Sequence, residues 1–273
     1  MIQDIAPLKL NNHYDPEIRA QREDSVLLFC GQEVLVKADT HEVIFPTVAE
    51  MNAEKLTYLF AVDAERYFLA PEDTAIPEGF AFASLRTLRE KGVKPDYKAY
   101  VLYTGKHLAD WYRDARFCGR CGKPMTHSPM ERAMTCTCGN TVYPRIMPAI
   151  IAGVINGDKL LLTRYKRGSY NALVAGFTEI GETAEETVAR EVMEETGVRV
   201  KNIRYYKTQP WGSANDLLLG YYCEADGDDT IHRDDGELSI AQWVSRPEIE
   251  LQPDDYSLTN EMMKTFRDHP ELF

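Results

Sequence analysis

The chain lacks any apolar run long enough to cross a bilayer, any internal repeat and any low-complexity tract. A hydrocarbon core requires about 20 consecutive apolar residues, so a helical membrane protein is excluded and a globular one expected. Its start, residues 1–15, has neither a basic stretch followed by an apolar one nor a small-residue cleavage site. No secretory leader is read there, and the cytoplasm is the expected compartment. Positive charge is also short: 31 Lys and Arg face 43 Asp and Glu, a net charge of −12, which disfavours a long nucleic-acid footprint built on phosphate neutralisation. A small anionic substrate stays open if a metal ion bridges to it. Cysteine is sparse and uneven. Of six, Cys118, Cys121, Cys136 and Cys138 crowd together while Cys30 and Cys223 stand alone, a grouping that reads as a metal site in a reducing compartment rather than three disulfides.

At 273 residues the chain exceeds one typical domain, and composition divides it into three. Residues 1–112 alternate short apolar runs with turns, giving strands near 26–29, 34–36 and 56–69, then helical patterns over 82–91 and 106–115. This is an α+β N-terminal domain. Residues 113–145 are rich in cysteine, glycine and polar turn residues and too poor in apolar side chains to fold without a cross-link. From 146 to 273 the pattern becomes α/β. Strands are expected over 149–155 and 159–163 around Asn156-Gly157-Asp158, a tight-turn sequence, then over 198–207, 216–225 and 238–244, with a closing helix over 258–269. A further helix over 184–196 is marked by Thr183 and Glu186, which fit a capping box, and by Gly197 as its stop.

That helix carries the chemistry. At about 100° per residue, Glu191, Glu194 and Glu195 share one arc, and Val188, Val192 and Ala189 occupy the adjoining one. Three like charges so placed repel, and Arg190 offsets only part of this, so a cation is expected among them. Carboxylate oxygens are hard ligands that favour Mg²⁺ or Mn²⁺. An acidic helix face without a ligand is the plain alternative on these residues alone. In the second cluster, Cys118-x2-Cys121-Gly and Cys136-x-Cys138-Gly read as a zinc ribbon, four thiolates closing a tetrahedral structural Zn²⁺ site. The second pair is one residue shorter than the common knuckle.

Gly176, Glu182, Arg190, Glu191, Val192, Glu194, Glu195, Gly197 and Val198 fit the box G-x5-E-x7-R-E-U-x-E-E-x-G-U, so this part of the chain resembles the Nudix hydrolases. The resemblance implies an α/β/α sandwich around a mixed sheet and metal-dependent hydrolysis of a nucleoside diphosphate linked to another group. It further implies that Glu191, Glu194 and Glu195 bind the metal, that the carbonyl of Ala175 adds a ligand, that Glu237 is a further one, and that Arg190 orients the glutamates. A ribbon directly before such a domain, with Tyr143-Pro144-Arg145 and Thr208-Gln209-Pro210-Trp211, resembles the NADH pyrophosphatase subfamily. That likeness implies cleavage of NADH or NAD⁺ to nicotinamide mononucleotide and AMP, removal of NAD caps from RNA 5′ ends, and a homodimer. Tyr143, Phe177 and Trp211 are candidate stacking rings, Gln209 a candidate edge reader in a loop, and Asp216 and Thr259 candidate substrate contacts, with Arg86 a shorter match. After Trp211 the subfamily signature gives way to Gly212-Ser213-Ala214-Asn215-Asp216, which leaves hydrolysis of ADP-ribose or dinucleoside polyphosphates as the rival activity. A nucleotide-sensing module without catalysis is the rival from another class. Cys30 and Cys223 are expected in the core.

Overall fold

A computed structural model describes residues 1–38, 42–53, 55–166 and 168–273. They cluster into two units. One comprises Met1, Ile146–Trp211 and Asp216–Phe273; the other comprises Ile2–Arg145 with the four residues Gly212–Asn215.

The carboxyl-terminal unit is built on six strands: β1 (Met147–Asn156), β2 (Lys159–Tyr165), β3 (Val174–Phe177), β4 (Val200–Trp211), β5 (Asp216–Ala225) and β6 (Leu238–Ser245). Two helices, α1 (Ala184–Thr196) and α2 (Leu258–Asp268), flank them. The sheet runs β4-β5-β1-β2-β6, with β3 also paired to β1. It is mixed, because β1 lies parallel to β5, with Ile151 opposite Gly220, and antiparallel to β2 and β3. Successive side chains point to opposite faces of a strand, and the core divides accordingly. Ile151, Ile155, Leu160, Leu162 and Tyr222 pack with Leu258, Met262 and Phe266 of α2. Ile150, Ala152, Val154, Leu161, Tyr221 and Cys223 pack with Val188 and Val192 of α1. The result is an α/β/α sandwich.

In the other unit Leu10–Asn11, Thr57–Val62, Glu65–Leu69 and Ser25–Leu27 form one sheet in that order, and Phe29–Cys30, Glu33–Lys37 and Phe80–Ser84 form a second. Residues 113–145 group with these, and three short strands, Thr126–His127, Met134–Thr135 and Thr141–Val142, make the ribbon sheet.

Several expectations need correction. Residues 82–84, read as helical, belong to a strand that pairs Phe82 with Leu35, and the helix after it is only Leu85–Lys91. The next helix begins at Tyr97, well before residue 106, and runs to Asp114. Cys30 is exposed whereas Cys223 is buried, because Cys30 pairs with Glu33 across a two-residue turn and faces outward. Thr208–Trp211, read as a loop, continues β4 in register with Asp216–Leu219. Ala189, grouped with the packing side of α1, is exposed.

Candidate metal centres

The acidic helix is positioned by its ends and its apolar face. Thr183 Oγ1 accepts from the Glu186 amide at 3.2 Å while the Glu186 carboxylate accepts from the Thr183 amide at 2.8 Å, so two otherwise unpaired donors are satisfied reciprocally. Gly197, in the left-handed region at φ 71°, closes the helix by donating to Met193 O. Val188 and Val192 are fully buried, each worth about 1.5–3 kcal/mol by removal from water. This fixes the rotation of α1 and so the direction its glutamates face.

Arg190 ties that helix to the preceding loop. Its guanidinium grips Glu182 with two bonds, Nε to Oε1 at 2.6 Å and a terminal nitrogen to Oε2 at 2.9 Å. It also donates to Glu191 at 2.7 Å, to Glu194 at 3.1 Å and to the Phe177 carbonyl at 2.9 Å. The Arg190 hydrogen bonds hold the Glu182 carboxyl down at about 2. Glu182 also accepts from the Glu179 amide at 3.1 Å and the Thr187 hydroxyl at 3.0 Å. Gly176 permits this arrangement sterically: a Cβ there would overlap the Glu191 carboxylate, so that carboxylate lies directly over the backbone of β3.

Glu195 is different. It is 3% exposed, and its carboxylate meets the Tyr165 hydroxyl, 2.9 Å from Oε1. Burial raises its pKa to about 8, and the charges of Glu237, Glu191 and Asp234 act in the same direction against the lowering effect of the Tyr165 bond. Among the described residues no ion pair reaches Glu195 or Glu237. The segment bearing Asp234 and Glu237 is fixed by the end of α1, where the amides of His232 and Asp234 donate to the Thr196 and Glu195 carbonyls, each at 2.8 Å. Tyr165 also spans to Ala175, whose amide donates to its hydroxyl at 3.0 Å and whose carbonyl lies 3.2 Å from it. Burial, with the adjacent Glu195 charge, raises the Tyr165 pKa well above the ordinary phenol range, so the hydroxyl keeps its proton. Among the described residues only the four ribbon cysteines already bring their ligand atoms together; the carboxylates act on Glu195 through their charges, and as oxygen donors they are hard and anionic. They suit Mg²⁺ or Mn²⁺, which take oxygen ligands.

Of the remaining expected site residues, only Phe177 touches this group, through its carbonyl to Arg190. Phe177 ends β3 and is half exposed. Trp211 faces Asp216 across the end of the β4–β5 pair. Asp216 is buried with Oδ1 unpartnered, and that burial raises its pKa to about 6. Gln209 is wholly buried, donating to Tyr256 O at 2.8 Å and accepting from the Leu258 amide at 2.7 Å. Its amide thereby anchors the start of α2, where half-buried Thr259 sits. Tyr143 and Arg86 belong to the other unit; Tyr143 is exposed and donates to Glu131 at 2.9 Å, and Arg86 pairs with Glu90 at 2.9 Å. Sequence reasoning passed over Tyr165 and Asp234. Tyr165 shares the α1 side of β2 with Leu161 by alternation, which was the available signal, whereas nothing local marks Asp234 among its acidic neighbours.

The four ribbon cysteines do converge, with all four Sγ atoms within 4.8 Å of one another. Cys118 and Cys138 are 3.7 Å apart and Cys121 and Cys136 3.5 Å, close to the ~3.8 Å edge of a tetrahedron with Zn–S bonds of about 2.3 Å. Although desolvation opposes it, the backbone amides of Arg120 and Cys121 lower the Cys118 thiol to about 6, whereas, against a backbone bond from Lys123, the neighbouring sulfurs of Cys136 and Cys138 raise the Cys121 thiol to about 12, so the sulfurs share protons that a metal would displace. The donor set and spacing fit Zn²⁺, including at the shorter second knuckle.

Residues 145–266 match the family model described as NUDIX domain. A protein of Salmonella typhi called NAD-capped RNA hydrolase NudC is 42% identical over 152 residues, 55% of this chain and 59% of its own length. One of the same name from Klebsiella pneumoniae subsp. pneumoniae is 44% identical over 154 residues, with the same two shares. The match thus spans less than two thirds of those relatives. Among solved structures, a NUDIX hydrolase from Nitrosomonas europaea superposes with a TM-score of 0.50 at 19% identity, covering 57% of this chain and 93% of its own, a likeness of fold. No helix among the described residues is long and apolar enough to cross a membrane. With the box residues gathered on α1 and the loop before it, residues 145–266 of this chain are a NUDIX domain.

Proposed function

We propose that this chain hydrolyses the pyrophosphate linkage of NADH or NAD⁺, releasing nicotinamide mononucleotide and AMP, with Mg²⁺ or Mn²⁺ held by the carboxylates of α1. The observation that carries the reading is Glu195, a buried carboxylate that feels the charges of Glu237, Glu191 and Asp234 and that no ion pair reaches among the described residues. Glu191, Glu194, Glu195, Glu237 and the Ala175 carbonyl would hold the ion. When bound there, a divalent cation would supply charge neutralisation for the pyrophosphate and activation of the attacking water. The protein's own part is orientation. Arg190 directs Glu191 and Glu194 and ties them to the loop through Glu182. Phe177 and Trp211 offer rings for a base or nicotinamide, Asp216 offers an unpartnered oxygen to a hydroxyl or amide, and Thr259 offers a hydroxyl. Gln209 acts through the start of α2, its amide being engaged there.

The substrate class rests on the relatives' name, NAD-capped RNA hydrolase NudC, which also supports action on the 5′ end of NAD-capped RNA. A net charge of −12 confines such contact to the terminal nucleotides. Zn²⁺ in the ribbon is structural, because four thiolates leave no open position. Reduced cysteines support a cytoplasmic location. Assembly as a homodimer completes the proposal and is read directly by light scattering on purified protein.

The deciding experiment incubates the protein and Mg²⁺ or Mn²⁺ with NADH, NAD⁺, NAD-capped RNA, ADP-ribose and a dinucleoside polyphosphate, resolving products by chromatography. Fastest release of AMP with nicotinamide mononucleotide, reduced or oxidised, is expected. Preference for ADP-ribose or the polyphosphate would show that the altered segment after Trp211 redirects the enzyme. Binding of NADH without turnover of any compound would establish a sensing module instead.

A further inference from the structure

The last side chain of β2 is spent on two of the candidate metal donors at once. We propose that Tyr165 is a positioning residue for the divalent cation, its single hydroxyl fixing both the Glu195 carboxylate and the backbone of Ala175. This rests on the reading that the α1 carboxylates bind a metal.

Alternation along β2 sends Leu161 toward α1, and Tyr165, four residues on, points the same way. Its partner strand β6 is not regular there. Arg164 pairs with Ile240 but Tyr165 with Leu238, so Ser239 is an extra residue in β6, and its hydroxyl donates to the Arg164 carbonyl at 2.9 Å. The Tyr165 hydroxyl meets Glu195 Oε1 at 2.9 Å, accepts from the Ala175 amide at 3.0 Å and lies 3.2 Å from the Ala175 carbonyl.

Ala175 pairs with Ile151 of β1 on its other side, and the phenol takes the place a neighbouring strand would fill. The two donors come from different elements, one from α1 and one from β3, and a shared oxygen sets their separation. Partners that orient ligands typically change metal affinity or activity ten- to a hundredfold when removed.

The test titrates Mn²⁺ into the full chain by calorimetry, for the wild type, Tyr165→Phe and Glu195→Gln, with thermal melting of each. Tyr165→Phe removes one oxygen and keeps the ring. The proposal expects a ten- to hundredfold weaker Mn²⁺ affinity in Tyr165→Phe, and activity that is low at limiting Mn²⁺ but recovers at saturation. A role in packing alone would lower the melting temperature and leave the Mn²⁺ affinity unmoved, which overturns the proposal. If Glu195→Gln also binds Mn²⁺ as the wild type does, the metal reading itself fails. If Glu195→Gln loses affinity while Tyr165→Phe does not, only the role of Tyr165 is refuted.

Discussion

The thiols of the ribbon and the carboxylates of α1 are both clusters of metal-seeking side chains, and they are held in opposite ways. The four sulfurs lie within 4.8 Å of one another in a stretch whose buried apolar side chains are few beyond Met125, Ala133 and Met134. The carboxylates stand on a helix anchored to a two-sided core. There Glu191 and Glu194 turn to Arg190, while Glu195 turns to Tyr165. A cluster whose ligands must converge to hold its fold together is a cross-link. One whose anions are braced separately by their own neighbours keeps positions open for a ligand and its water. The first arrangement suits structure and the second suits chemistry.

The largest effect that can break this comparison is removal of a thiol. Cys121→Ser should abolish Zn²⁺ binding, a contribution on the order of 10 kcal/mol in small zinc folds, and open residues 118–138 to limited proteolysis while the NUDIX domain resists. Glu195→Gln should do the reverse. Activity should fall roughly a thousandfold, equivalent to several kcal/mol of lost electrostatic stabilisation, with the zinc content and the ribbon's protease resistance unchanged. Arg190→Ala should lower activity about ten- to a hundredfold, because Glu191, Glu194 and the loop through Glu182 lose their common tie.

The pH dependence sharpens the contrast further. With the Glu195 pKa raised to about 8, the folded metal-free protein binds a proton that the unfolded chain releases near the ordinary carboxyl value. Its stability should therefore decline as pH rises from about 4.5 toward 8. Since Mn²⁺ must displace that proton, its apparent affinity should rise by up to about tenfold per unit between pH 6 and 8 and level off above. Calorimetry across that range checks both the slope and its loss in Glu195→Gln. The smallest effect is Thr183→Ala, which should cost about 1 kcal/mol of stability through the lost cap, seen in denaturant unfolding, with activity nearly intact.

Local signals made α1 legible in the sequence. Thr183, Glu186 and Gly197 set its ends where residues 184–196 were expected, and β5 likewise occupies residues 216–225. What escaped depends on contacts distant in the chain. Gln209 is buried because its amide meets Tyr256 and Leu258, which no reading of Thr208-Gln209-Pro210-Trp211 alone reveals. Residues 82–84 have helical spacing but pair with Glu33–Leu35, and tertiary pairing overrides propensity. The helix from Tyr97 contains Gly105, a residue that weakens a helical pattern, so only its second half was recognised. Alternation along β2 sets the face that Tyr165 takes, but its partner Glu195 lies 30 residues away, and no local pattern names it. The box residues mark a candidate metal site, whereas the bracing around it depends on contacts distant in the chain.

The most direct measurement is metal analysis of the wild type, Cys121→Ser and Glu195→Gln after equilibration with Mn²⁺ and removal of the excess. The account predicts zinc and manganese in the wild type, manganese without zinc in Cys121→Ser, and zinc with little manganese in Glu195→Gln. Manganese retained in full by Glu195→Gln, or lost together with zinc in Cys121→Ser, would contradict two separate centres with separate tasks.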